Sequence, residues 1–381
     1  MGGYLLENEQ DIQDLVEGAL WMGTGGGGSY QEGFNLLLEV LQEGYQLGWV
    51  DPDTVADDLW TVTVGQHGSI APPPPEIRDE IQRQGLVEAP GDWFLVQAVK
   101  ELEDALGQTY SCLVPAELGP GSVADSLAAG ARLGLPVVDG DYIGRAVPEE
   151  TQSTYCLHNK HSLKFAAVDP WGNSVFIRKA VNIHAMERIA KMLALASYGL
   201  IAVATTPLPA RDMKKILVPG TLSKCLRIGQ ALRQARRNGG DPIAAGIKAS
   251  GGWQLFSGRV ETLNTEDRDG YFFGNVIIAG DGPYRDQTFK VWFKNESLVS
   301  WLNDQPWVTS PDLISLVYQE NGRGIYNAEL QEGDQVAVIG IQGLEGFRTE
   351  RGLTLAGPGH FGFDIDYHPI EHLVSTEKNQ A

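Results

Sequence analysis

The sequence predicts an α/β protein in two parts. Residues 1–168 read as an N-terminal α/β domain with a mostly parallel sheet, and residues 169–381 as a C-terminal mixed α/β domain with a β-rich barrel or sandwich portion. Three observations carry this. Strand-like runs alternate with helix-period stripes through the first half. Asp169-Pro170-Trp171-Gly172-Asn173 is a turn-forming string where the halves can part. After Gly251-Gly252, short apolar runs are separated by Gly, Asp and Asn at the spacing of a small barrel or sandwich.

Ile12, Leu15, Val16, Ala19 and Leu20 recur at helical spacing, and Phe34, Leu37, Leu38 and Leu41 form a second such stripe. Residues 59–65 read as a buried strand, and Pro72 to Pro75 as a stiff rim. A helix over 93–105, a strand over 110–114, a helix over 122–133 and a strand over 136–139 follow. The second half opens with a strand at 174–177, a helix over 182–195, a strand at 200–205 and a helix over 221–237 with a basic outer face. Strands are predicted at 253–263, 271–279, 288–294, 313–318, 335–340 and 353–357, and the polar tail 375–381 as frayed.

The chain has 381 residues and a formal charge of −20. So acidic a chain repels phosphate backbones, so neither nucleic acid nor an anionic membrane is an expected partner. No basic-then-apolar leader opens the sequence, and the longest apolar run, 192–206, is broken by Ser197, Tyr198 and Gly199. Cys112, Cys156 and Cys225 are odd in number and lack metal spacing. A reduced, cytoplasmic protein is expected, and a symmetric homo-oligomer is the common state for such enzymes.

Five glycines fall in six positions in Gly23-Thr24-Gly25-Gly26-Gly27-Gly28. So much bare backbone serves positive φ angles and unobstructed N–H groups. Gly23, Gly25 and Gly28 match a dinucleotide spacing, but a helix precedes them where that motif needs a strand, so no nucleotide cofactor is expected. Two readings remain: an N–H cradle from Thr24 to Gly28 for an anion or polarised oxygen, or a turn that lets two helices approach closely.

Glu117, in Pro115-Ala116-Glu117-Leu118-Gly119, follows a strand and precedes a helix, where α/β sheets bind ligands. Asp139 and Asp141 end another predicted strand, with Arg145 just beyond. One Asp can act as base while the other orients it or ligates a metal, and Arg145 can hold a substrate. A helix cap with an ion pair is the structural alternative. Asn295 and Glu296 leave a predicted strand, as a turn or as site residues. His67, at a strand end, is the best-placed histidine; His184 and Glu187 share a helix at a spacing used by some metal sites.

The ordered strings GTGGGG, PAELG, PVVDGDYIGRAVPE, GTLSKCLRIG, FKNESLV, SPDLI and GPGHFGFDIDYHPIE resemble the S-methyl-thiohydantoin desulfurase family across nearly the whole chain. The resemblance implies two domains meeting near residue 168 and hydrolysis of an S-methyl-thiohydantoin, a small-molecule substrate, to hydantoin and methanethiol. It also implies a hydantoinase-type partner. The family usually has Asp-Pro where this chain has Ser29-Tyr30, and Gly-Met where it has Tyr142-Ile143. The implied chemistry needs a base, for which Asp139, Asp141 and Glu117 are the candidates. It also needs an acid or a divalent metal such as zinc, with Asp139 and Asp141 as ligands, and donors from Gly23–Gly28 and Arg145 for developing charge. The alternative is a non-catalytic ligand-binding or accessory subunit of a hydantoinase or oxoprolinase system.

Overall fold

The computed structural model describes residues 3–72, 74–89 and 92–377. Helix Glu9–Met22 leads through the glycine loop into helix Tyr30–Gln42, as the two apolar stripes require. Asn8 caps the first helix, and a reciprocal Ser29–Glu32 capping box starts the second.

A five-stranded sheet holds the first half together, in the order Cys112–Leu113, Trp60–Gly68, Leu200–Pro209, Phe165–Val168, Ser174–Ile177. It is mixed rather than mostly parallel. Only Cys112–Leu113 runs parallel to Trp60–Gly68, and the other three pairings are antiparallel. Parallel character survives in single bridges, Leu113 to Val137 and Val50 to Val138. The reason is connection length. Phe165–Val168 and Ser174–Ile177 are joined by the tight 169–173 turn, which permits only an antiparallel pair. Asp169 holds that turn, accepting the Trp171 and Asn173 N–H groups at 3.1 and 2.7 Å. The same sheet takes strands from both sides of residue 168.

The two halves also share a helix pair. Helix Thr221–Arg237 crosses helix Glu9–Met22 at small residues. A Cβ added to Gly18 would lie 1.7 Å from the Cys225 carbonyl oxygen, and one on Gly229 1.8 Å from that of Asp14. The basic face predicted to point outward pairs across this crossing, Arg233 with Asp14 and Arg236 with Glu17.

Residues 253–341 form a seven-stranded antiparallel sheet curled into a half-barrel, its edge strands Gln305–Thr309 and Leu313–Tyr318 approaching each other. Strands Glu296–Leu302 and Gln305–Thr309 escaped the sequence reading. The predicted strand at 353–357 is helix Glu350–Ala356, started by the Thr349 hydroxyl, which accepts the Gly352 N–H at 3.2 Å. Of the predicted proline rim, Pro73 lies outside the described residues, and Pro75 opens helix Pro75–Gln84. Of the tail predicted to fray, 375–377 ends helix Ile370–Glu377 and 378–381 lie outside the described residues. Among the described residues, no helix is long and apolar enough to cross a membrane.

Candidate active site

The glycine loop is bent by left-handed residues, Thr24 at φ 52°, Gly25 at 93°, Gly27 at 71° and Gly28 at 93°. For the β-branched Thr24 this costs of order 1–3 kcal/mol. Bonds to the rest of the chain offset it: Thr24 O accepts the Ser297 N–H at 2.8 Å, and its Oγ1 accepts Arg145 Nη2 at 3.0 Å. The glycines permit close approach. A Cβ on Gly27 would sit 2.7 Å from Gly119 Cα, one on Gly28 2.7 Å from Gly121 Cα, and one on Gly26 1.8 Å from Glu296 Oε1. Close packing therefore accounts for much of this glycine run. Asn327 closes over Gly25, its N–H donating to Gly25 O at 2.8 Å.

Against this loop stand two carboxylic acids, a half-buried Glu117 and a buried Glu296. Glu117 leaves the Cys112–Leu113 strand just before helix Pro120–Leu133, where its oxygens accept Ser122 Oγ and the Val147 N–H, both at 2.8 Å. Glu296 follows Asn295, a left-handed residue (φ 58°) that turns strand Thr288–Lys294 into Glu296–Leu302. Asn295 is fastened there: its Oδ1 accepts the Phe272 N–H at 2.9 Å. Glu296 is 2% exposed, and its Oε2 has no hydrogen-bond partner among the described residues. Burial and the charge of Glu117 push its pKa well above the ordinary carboxyl value, which favours its protonated form. Burial raises Glu117 to about 7 against its two hydrogen bonds and the charge of His67.

Arg145 lies behind this pair, 4% exposed, donating to Ser297 O at 3.0 Å, Asp312 O at 3.2 Å and the Thr24 hydroxyl. Burial lowers it to about 10 while Glu296, Asp312 and Glu117 hold it up, so it stays charged at neutral pH.

His67 comes from the far end of strand Trp60–Gly68. Its Nε2 lies 3.3 Å from Glu150 Oε1. Burial pulls its pKa down, but Glu150 outweighs that and leaves it raised. Asp125 fixes the preceding residue, accepting the Gln66 N–H at 2.9 Å and Gln66 Nε2 at 2.7 Å. Burial raises Asp125 from 3.8 to about 7. Between those values the folded protein binds more protons than the unfolded chain, so this group lowers stability as pH rises through the window. Asp125→Asn is expected to flatten that slope, read as urea midpoints at pH 4 and pH 8 beside the parent protein.

Thr24, Gly25 to Gly28, Glu117, Arg145 and Glu296 are thus brought together, with Asn295 at the turn and His67 alongside. Asp139 and Asp141 have other partners. Asp139 accepts the Ser223 N–H and hydroxyl, and its carbonyl takes the Gly220 N–H, at the start of helix Thr221–Arg237. Asp141 is fully buried, and its Oδ1 accepts the Ile143 N–H at 2.6 Å and also that of Gly144. Both Asp139 oxygens are thus taken by Ser223, while Asp141 Oδ2 is buried with no hydrogen-bond partner among the described residues. Among the described residues, no group of three or more His, Cys, Asp or Glu is disposed to hold a metal ion.

The S-Me-THD-like N-terminal domain matches residues 10–179, and the S-Me-THD-like C-terminal domain matches residues 181–370. The chain belongs to the S-Me-THD-like family. Its fold is similar to the crystal structure of a protein from Chromobacterium violaceum, with a TM-score of 0.77 at 22% identity, over 96% of this chain and 100% of that one. No curated protein matches the chain.

Three further residues gather around His67, of which sequence reasoning had named only Glu187, and that in a pair with His184. Glu150 accepts the Tyr155 hydroxyl as well as facing His67. Glu187, on helix Ile183–Ala196, accepts the Glu150 N–H at 3.1 Å and the Tyr271 hydroxyl at 3.0 Å. Lys191, one turn on, is 5% exposed, 4.0 Å from Glu187 and 3.1 Å from Gly68 O. The i, i+4 pair Glu187 and Lys191 on the inner helix face was the available signal. His184, by contrast, is exposed and shares no site with Glu187.

Proposed function

We propose that the protein hydrolyses S-methyl-thiohydantoins, exchanging the methylthio group on the ring carbon between the two nitrogens for oxygen. The observation that supports this reading is the acid pair: Glu117 with a pKa of about 7 beside Glu296, whose pKa burial pushes well above the ordinary carboxyl value, with His67 at hand. General acid–base work at neutral pH needs groups tuned in this way.

In this mechanism the Glu117 carboxylate takes a proton from water as its oxygen bonds to the ring carbon. The carbon–nitrogen π pair moves to nitrogen, which takes a proton from the His67 imidazolium. The tetrahedral centre then returns its hydroxyl proton to His67 and forms the carbonyl. The carbon–sulfur pair leaves with sulfur, which takes the proton from Glu117. The sum is substrate plus water to hydantoin plus methanethiol, with both side chains restored. Neutral Glu296 donates a hydrogen bond where negative charge builds, and the amides of the glycine loop supply further donors.

The decisive test is thiol release and hydantoin formation from S-methyl-thiohydantoins with purified protein. Binding without thiol release would favour a non-catalytic ligand-binding role. Asp139→Ala provides a control on the site's boundary. It is expected to lower stability by about 1 kcal/mol, the cost of a lost helix cap, with kcat within about twofold of the parent. A thousandfold loss of kcat would move the base to Asp139.

A further inference from the structure

Helix Ile183–Ala196 turns five buried residues inward: Met186, Glu187, Ala190, Lys191 and Ala194. Two of the five are charged, Glu187 at 6% and Lys191 at 5% exposed. Burying two charges forfeits their hydration, and an apolar pair would pack the same face without that loss. Stability alone is therefore a poor reason for them. Their partners supply a better one.

Glu187 holds one segment of the chain and Lys191 another. Glu187 Oε2 accepts the Glu150 N–H at 3.1 Å, where the short helix Glu150–Gln152 begins. Lys191 Nζ donates to the carbonyl of Gly68, the residue after His67, at 3.1 Å. Between these two anchor points His67 Nε2 meets Glu150 Oε1 at 3.3 Å. One turn of helix thus grips the backbone beside each member of the couple and fixes their separation. Tyr271 braces that turn: its hydroxyl donates to Glu187 at 3.0 Å, and its ring centroid lies 4.5 Å from Lys191 Nζ. Glu187 and Lys191 themselves stand 4.0 Å apart, beyond hydrogen-bond distance, so each spends its bonds on the chain around His67 rather than on the other.

We propose that Glu187 and Lys191 are positioning residues: by clamping Glu150 and Gly68 they hold the His67 imidazole against the Glu150 carboxylate in the orientation its proton transfers need. The proposal rests on the function given above, in which His67 gives up and regains a proton. The clamp also acts through charge. Glu150, Glu187 and Lys191 are the charged groups that act on His67, and His67 acts in turn on Glu117. Tyr155 reaches the same Glu150 carboxylate from helix Thr154–Leu157. Glu187 favours the imidazolium, and Lys191 opposes it.

Histidine NMR titration and the pH profile of kcat/KM test the clamp together, with His67→Gln assigning the His67 signal. Lys191→Met is expected to move the His67 titration, and the falling limb with it, upward by about 0.5 to 1 in pH, because an opposing charge is gone. Glu187→Gln should move both downward by about as much, while its amide oxygen still accepts the Glu150 N–H. General loosening of the fold would shift both variants the same way. Lys191→Met should also lower kcat by about 10- to 100-fold with KM within about twofold, the result of a misplaced imidazole. The double variant leaves no unpaired buried acid and serves if Lys191→Met does not fold; its titration should return to that of the parent while kcat stays low. Titrations unchanged in both single variants, or shifted the same way, overturn the clamp and leave the hydrolase standing, as does a parental kcat in the double variant. No thiol release from the parent protein overturns the hydrolase, and with it the purpose of the clamp, whatever the titrations show.

Discussion

Glu117→Gln is expected to lower kcat for thiol release by about 10²- to 10⁴-fold while the protein stays folded. The amide keeps the shape of the side chain and can still accept the Ser122 hydroxyl, but it cannot take a proton from water. The pH profile separates this role from a packing role. Glu117 acts as base only when ionised, so kcat/KM should rise with pH through about 7, where burial has placed its pKa. The acid role of His67 imposes the falling limb at higher pH, since Glu150 holds its pKa above the ordinary value. In Glu117→Gln the rising limb should vanish from whatever activity is left. A profile of unchanged shape, or a kcat within threefold of the parent, would remove Glu117 from the chemistry.

The second large effect is on stability. Gly229→Ala places a methyl group 1.8 Å from the Asp14 carbonyl oxygen, and Gly18→Ala places one 1.7 Å from that of Cys225. Both obstacles are backbone, so no side-chain rotation relieves them. The helices must separate, which strains the Arg233–Asp14 and Arg236–Glu17 pairs and opens the core around them. Each substitution is expected to cost about 3 kcal/mol, at the upper end of overpacking. Urea midpoints with unchanged m-values give the measurement. A loss below about 0.5 kcal/mol for both would mean that the helices do not cross so closely.

Local structure was legible where periodicity is strong. The helix–loop–helix around the glycines follows from Ile12 to Leu20 and Phe34 to Leu41, and helix Thr221–Arg237 has the predicted limits. Sheet direction was not legible, because alternating strands and helices are compatible with either pairing, and the short 169–173 turn decides it only once both of its strands are placed. At the site, Glu117 and Glu296 could be singled out because each leaves a strand in an unusual local sequence. Asp139 and Asp141 look the same by that criterion. What separates them is distant: Ser223 lies 84 residues from Asp139 and absorbs its carboxylate in a helix start. Glu150 was hidden for the same reason, since nothing near it in sequence announces that His67 will face it, and Glu187 was picked out with His184 although its partners are Glu150, Tyr271 and Lys191.

The latch between Thr24 and Ser297 has a consequence for biosynthesis. The ribosome makes the bend at Thr24 long before its fasteners, with 297 − 24 = 273 positions separating the two ends of that one hydrogen bond. Until those fasteners are made nothing holds Thr24 in its left-handed conformation, so the loop takes its folded shape only after most of the chain has been synthesised. The meeting of Glu117 with Glu296 is likewise late, completed when the half-barrel strands emerge and close over what was built first.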